Sequence, residues 1–109
     1  MYREAVILLA LAAAATAQVE LYRAGEGAYQ SYRIPALIRT PKGTLLAFCE
    51  GRKNSAADAG DIDIVLRRSM DGGKTWSPAR TVVDFGEDTA GNPTPVLERK
   101  TGTILLLFT

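Results

Sequence analysis

The sequence predicts an all-β chain, organised as one four-stranded β-propeller blade followed by about half of a second. Three observations carry this. Short runs with strand character are separated by turn residues at Pro41-Lys42-Gly43 and Asp71-Gly72-Gly73. The run from Asp61 to Arg68 alternates, with Ile62, Ile64 and Leu66 on one face and Asp63, Val65 and Arg67 on the other. The chain then repeats itself: Pro35-Ala36-Leu37-Ile38-Arg39 is echoed by Pro95-Val96-Leu97-Glu98-Arg99, an offset of 60 positions. Thr44-Leu45-Leu46-Ala47-Phe48 is likewise echoed by Ile104-Leu105-Leu106-Leu107-Phe108. A repeat of this length holding four strands is the mark of a propeller blade.

Residues 1–17 have the form of a cleaved export signal. Arg3 supplies the charge, Ala5 to Ala15 the apolar run, and Ala15-Thr16-Ala17 the small-residue cleavage site. The run is too short to span a bilayer, and the chain turns polar at Gln18 and Glu20. Cleavage after Ala17 and a secreted or periplasmic protein are the expectation. From Val19 to Arg23 a short strand is possible, followed by a Gly-rich connection. Tyr32 to Arg39 reads as a strand whose pairing Pro35 constrains. Thr44 to Cys49 is nearly all apolar, as in a strand buried on both faces. Glu50 to Gly60 is polar and small, hence a loop. Strands follow at Asp61 to Arg68 and near Arg80 to Phe85.

Between those last two strands lies Ser69-Met70-Asp71-Gly72-Gly73-Lys74-Thr75-Trp76. Asp-Gly-Gly is turn chemistry, because the carboxylate accepts bonds from its own turn and glycine tolerates positive φ. Ser69 and Thr75 flank the turn with hydroxyls able to tie its arms together. Pro78 prevents a helix from starting.

Composition removes several chemistries. Lys and Arg number 13 against 12 Asp and Glu, a balance that points to neither nucleic acid nor an acidic membrane as partner. With no histidine, this stretch holds neither Ser-His nor Cys-His nucleophile systems, and acid–base work falls to carboxylates, lysine or tyrosine. Cys49 is the single cysteine, so no internal disulfide forms and packing alone stabilises the chain. Its apolar surroundings suit a buried residue, with no base nearby to activate it as a thiol. Gly73-Lys74-Thr75 is not a phosphate-binding loop, because Arg68 stands where the first glycine is needed. Asp61-Ile62-Asp63 fails as a calcium loop because Leu66 replaces the required glycine.

The residues left to carry chemistry are two arginines and a carboxylate. Arg33 lies near the start of the first strand and Arg52 just after the buried one. Two guanidinium groups converging from adjacent strand ends make a carboxylate clamp, since each fork matches a carboxylate bidentately. Asp58 is the central carboxylate of the loop that follows. A ligand that strips water from around a carboxyl group there raises its pKa, so that it keeps a proton to give as a general acid.

The ordered set Tyr32-Arg33-Ile34-Pro35, Glu50-Gly51-Arg52, Asp58, then Leu66-Arg67-Arg68-Ser69 leading into the Ser69–Trp76 turn, resembles the N-terminal blade of the exo-α-sialidases. Gly91-Asn92-Pro93-Thr94-Pro95 extends the likeness, which runs from about Tyr32 to Thr109. In that family the octet is the Asp box and the propeller has six blades. The resemblance implies that Arg33 belongs to the arginine triad holding the sialic acid carboxylate. It implies that Arg52 is the neighbouring pocket arginine and Asp58 the acid/base, with Asp61 as a fallback for Asp58 and Asn92 as a pocket-lining residue. It further implies retaining hydrolysis of terminal sialic acid from glycoproteins, glycolipids and oligosaccharides, with no metal and no cofactor. Sialidases use a tyrosine nucleophile. That tyrosine, its glutamate partner and two more arginines lie in later blades, and Tyr2, Tyr22, Tyr29 and Tyr32 occupy the wrong segment to replace it.

The chain ends on the apolar run Ile104 to Thr109, an edge that complete proteins avoid exposing. Residues 18–109 therefore read as a truncated N-terminal part of a propeller domain, inactive without the remainder. A non-catalytic Asp-box propeller, serving as a binding or assembly module, is the alternative reading. A small β-sandwich interaction domain is a third, and it leaves the echoed blade unexplained.

Overall fold

A computed structural model of the chain describes residue 5 and residues 18–109, and the export-signal reading lies outside the second of these segments. Six strands follow in order: β1 (Ser31–Arg39), β2 (Leu45–Arg52), β3 (Ile62–Ser69), β4 (Arg80–Val83), β5 (Thr94–Glu98) and β6 (Thr103–Leu107). The first four make an antiparallel meander in the order β1-β2-β3-β4, and β5 pairs with β6 in a separate hairpin. No helix among the described residues is long and apolar enough to cross a membrane.

Both faces of the meander are covered at its centre. On one face Cys49 and Val65 pack under Tyr29, with Tyr22 and Tyr32 against them. On the other, Phe48, Ile64 and Ala90 form a cluster that receives Ile38, Leu66 and Leu106. The period of two in β2 and β3 explains this, since successive side chains alternate between faces. Burial of each large side chain is worth about 1.5–3 kcal/mol. The second cluster joins the two sheets, because Leu106 belongs to β6. Its neighbours Leu105 and Leu107 point the other way and are exposed.

Three boundaries differ from expectation. Val19 to Arg23 forms no strand. Side chains rather than a backbone ladder anchor it: the Tyr22 hydroxyl donates to the Ala47 carbonyl at 2.7 Å, and Arg67 donates to the Leu21 carbonyl. β2 does not stop at Cys49 but continues through Glu50, Gly51 and Arg52, which pair with Ile64, Asp63 and Ile62. Charged residues can sit inside this strand because Glu50 and Arg52 satisfy each other, and the residue between them has no side chain. A Cβ on Gly51 would lie 2.7 Å from the Tyr29 ring. β4 ends at Val83 rather than Phe85, because the Asp84 carboxylate turns back to accept the Gly86 N–H at 2.8 Å.

Pro35 shapes β1 as its missing N–H requires. Arg33 pairs with Glu50 and Ala36 with Phe48, so one extra residue bulges out between them. Proline is tolerated within a sheet at such a bulge. Ile34 in the bulge adopts φ 56°, a left-handed conformation costly for a β-branched residue.

The Ser69–Trp76 turn is held by Asp71. Its Oδ1 accepts the Ser69 hydroxyl at 2.8 Å and the Thr75 N–H at 2.9 Å, and its Oδ2 accepts the Thr75 hydroxyl. The Ser69 hydroxyl oxygen accepts the Gly73 N–H at 2.8 Å, while Gly72 and Gly73 take φ of 74° and 93°. Both hydroxyls thus tie the arms together through one carboxylate. Those bonds from Thr75 and Ser69 hold the Asp71 carboxyl down to about 2, against 3.8 unperturbed. A folded pKa below the unfolded one adds stability that is complete above about pH 4 and is lost as pH falls through about 2. Asp71→Asn is therefore expected to flatten the decline in unfolding free energy between pH 4 and pH 2, measured by urea titration at several pH values.

Candidate functional site

The register of β1 and β2 brings the candidate residues together. Arg33 stands directly opposite Glu50, and Arg52 lies two residues further along the same strand. Side chains two apart on a strand share a face, so Arg33, Glu50 and Arg52 project from one face, the one that carries Phe48. The loop of residues 53–61 crosses this end of the sheet. Its base is closed by the Lys53 N–H donating to the Asp61 carbonyl at 3.1 Å. It is tied to β1 by the Ser31 hydroxyl, which donates to the Ser55 carbonyl at 3.2 Å. The Thr89 hydroxyl holds Gly60 by donating to its carbonyl and accepting its N–H.

Asp58, on that loop, reaches both arginines through one oxygen. Its Oδ1 lies 2.9 Å from Arg52 Nη1 and 3.6 Å from Arg33 Nη1. The three residues singled out in the sequence therefore do converge. Their environments differ sharply: the Asp58 side chain is 86% exposed and that of Arg33 54%, whereas that of Arg52 is 3% exposed.

Arg52 is committed on every edge. Its Nε–H and Nη2–H donate to Glu50 Oε2 at 2.9 and 2.6 Å, and its Nη1–H groups donate to the Ala56 carbonyl at 2.7 Å and to Asp58. Burial works against its charge, but the hydrogen bonds to Glu50 and Asp58 outweigh it, and its pKa is raised. Glu50, which sequence reading left without a role, is the buried partner that makes this possible. The signal was there in its spacing of two from Arg52 on a buried strand. Its second contact was not legible, because Oε1 accepts the N–H of Asn92 at 2.9 Å from 42 residues away.

Asn92 takes φ 51° and sits just before β5. Its side chain turns away to donate to the Thr109 hydroxyl at 2.9 Å, so its backbone N–H rather than its amide reaches the site, at Glu50. Asp61 also separates from the group. Its Oδ1 faces Lys53 Nζ at 3.4 Å, which also lies 3.4 Å from Asp63 Oδ2.

Asp61, Asp63 and Asp84 form a second cluster, their ligand atoms within 4.8 Å of one another. Three carboxylates could hold a divalent cation, but the Lys53 ammonium already supplies a positive charge at two of them. Burial raises the Asp63 pKa, while Tyr29 and Lys53 pull it down. The Tyr29 hydroxyl donates to Asp63 Oδ2 at 2.7 Å, and burial pushes its phenol up to about 12. Tyr22 and Tyr32 are tied as well, donating to the carbonyls of Ala47 and Glu26. None of these three phenols points to the arginine pair. Cys49 is buried, its thiol pushed up to about 11 by burial, which suits packing rather than nucleophilic attack.

The Ser69–Trp76 turn is remote from all this. Leu45 pairs with Ser69 while Arg52 pairs with Ile62, so turn and arginine stand at opposite ends of β2. At ~3.3 Å per residue that is roughly 23 Å.

No family model matches the chain. An exo-alpha-sialidase of Aspergillus fumigatus is 43% identical over 76 residues, covering 64% of this chain and 19% of that protein. A sialidase of Micromonospora viridifaciens is 42% identical over 85 residues, covering 73% of this chain and 13% of the relative. Among solved structures, the Hadza microbial sialidase Hz136 superposes with a TM-score of 0.69 at 38% identity, covering 74% of this chain and 18% of that one. The chain thus spans about a fifth, or less, of the length of these relatives. Its four-stranded sheet and following hairpin are one blade, and the first strands of the next, of a β-propeller, and the chain belongs to the sialidase family.

Proposed function

We propose that the full-length protein carrying this segment is a retaining exo-α-sialidase, which removes terminal sialic acid from glycoconjugates. The observation that supports this best is the meeting of Arg33 and Arg52 on a single carboxylate oxygen, that of Asp58. A pair of guanidinium groups that holds one carboxylate can hold another, and a sialoside carries its carboxylate on the anomeric carbon. Arg33, half-exposed, receives the ligand carboxylate, and Arg52 offers the Nη1 edge that Asp58 now takes. Asp58, displaced but adjacent, protonates the leaving glycosidic oxygen. The nucleophile is supplied by a tyrosine outside residues 18–109.

The test compares an α-sialyl-lactose with its carboxylate methyl ester. Hydrogen bonds to a charged group are worth about 1.5–3 kcal/mol each, so loss of two should slow release of the ester's sugar by about 100-fold or more. Comparable rates on both would overturn the arginine assignment. Binding of the free carboxylate without any release of sugar would point instead to a non-catalytic propeller that acts as a binding module.

A further inference from the structure

We propose that Glu50 is the positioning residue of the pocket, a single buried carboxylate that sets both the roll of the Arg52 guanidinium and the seat of the Asn92 loop. Its two oxygens serve different parts of the fold. Oε2 takes the Nε–H and Nη2–H edge of Arg52, leaving only the Nη1 side of the fork turned toward Asp58 and Arg33. Oε1 takes the Asn92 N–H, which belongs to the connection that leads into β5.

The fit on that second side is close. Gly91 is buried, and a Cβ there would stand 2.7 Å from Glu50 Oε1. The neighbouring Asn92 holds a left-handed conformation, with its N–H aimed at the carboxylate. Gly91 also exchanges both backbone hydrogen bonds with Thr109 beyond the end of β6, at 2.8 and 2.9 Å. The second hairpin is in turn pinned to the first sheet by the Asn92 N–H on Glu50 and by the Ala90 N–H, which donates to the Ile62 carbonyl at 2.8 Å. Glu50 itself is 3% exposed, so neither bond competes with water.

The chemistry requires a carboxylate, not merely a side chain of this shape. Glutamine has one acceptor oxygen and one NH2 group. Whichever way it turns, its NH2 would face a donor, either the Arg52 fork or the Asn92 N–H. Glu50→Gln therefore keeps volume and burial but frees either the arginine or the loop.

The activity arm of the test rests on the sialidase reading, and the spectroscopic arm does not. In the full-length protein, Glu50→Gln is expected to lower kcat/KM on sialosides by about 10- to 100-fold, as misplacement of a binding group does. Because Glu50 acts through Arg52, the same change in an Arg52→Ala background should cost little more, within about 2-fold. Losses that multiply instead would overturn the proposal and leave Glu50 a general stabiliser. Independently, the Arg52 Nε–H and the Asn92 N–H should both exchange slowly with water in the native protein, and at least one of the two at least 10-fold faster in Glu50→Gln. Unchanged exchange would sink the proposal, whether or not the protein cleaves sialosides. If the native protein releases no sialic acid while the exchange rates behave as expected, the sialidase reading fails and the positioning role of Glu50 stands.

Discussion

Replacing Asp58 by alanine in the full-length protein is expected to depress kcat on natural sialosides by about 10²–10⁴-fold, the usual contribution of a positioned acid. Substrates with an activated phenol as leaving group should suffer far less. A sugar hydroxylate is a poor leaving group and needs a proton as the bond breaks, whereas an acidic phenol leaves without one. The structure adds an expectation about binding. Asp58 Oδ1 occupies the point where Arg33 and Arg52 meet, so its removal takes a competitor away from the clamp. KM for carboxylate-bearing substrates should stay level or fall while kcat drops. Steady-state kinetics on sialyl-lactose and on an aryl sialoside separate these effects. Equal losses on the two substrates would remove the acid role, and a large rise in KM alone would make Asp58 a binding residue.

Arg52→Met should be the most destabilising single change in the pocket, at about 3–5 kcal/mol, because it strips a buried ion pair of one partner. Glu50, 3% exposed in the native protein, would keep only the Asn92 N–H of its hydrogen-bond partners. The cost is the desolvation of an unpaired carboxylate more than the loss of two hydrogen bonds. A double variant, Glu50→Gln with Arg52→Met, removes the stranded charge and should recover most of the loss. Urea unfolding of the two variants beside the native protein gives the comparison. A single variant within about 1 kcal/mol of native stability would mean that water reaches Glu50 and that the pair is not buried in solution. By contrast Arg33, half-exposed and 3.6 Å from Asp58, should tolerate truncation with little change in stability.

Much of the fold was written locally. The alternation of Ile62, Ile64 and Leu66 against Asp63 and Val65, the Asp71-Gly72-Gly73 turn and the echo of Pro35–Arg39 at Pro95–Arg99 each depend on neighbours within a few residues. Each is found as a strand or turn where the residues place it. The errors also have a local cause. Glu50 to Arg52 looked like the start of a loop because charge in a strand is costly when unpaired. The pairing that removes the cost depends on which face each side chain takes. Val19 to Arg23 had strand-like composition but is held at the central strands β2 and β3 rather than by a backbone ladder along an edge. There the Tyr22 hydroxyl donates to the Ala47 carbonyl and Arg67 donates to the Leu21 carbonyl.

The candidate site divides in the same way. Arg33, Arg52 and Asp58 were legible as residue types in a certain order, since a strand of known length carries its end residues to a known place. Asp61 and Asp58 could not be told apart by spacing. The fold separates them, turning Asp61 to Lys53 at the base of the loop and Asp58 to the arginines at its crown. The bond from Asn92 to Glu50 had no local trace at all, because it joins groups 42 residues apart through a backbone N–H that any residue carries. Residue identity and period, then, decide which segments become strands and which side chains can bear charge. Which charge meets which depends on register between strands and on the docking of the second hairpin, and these are settled by burial across the whole sheet. The buried partner of Arg52 belongs to that second kind of information, and so does the geometry of the pocket it supports.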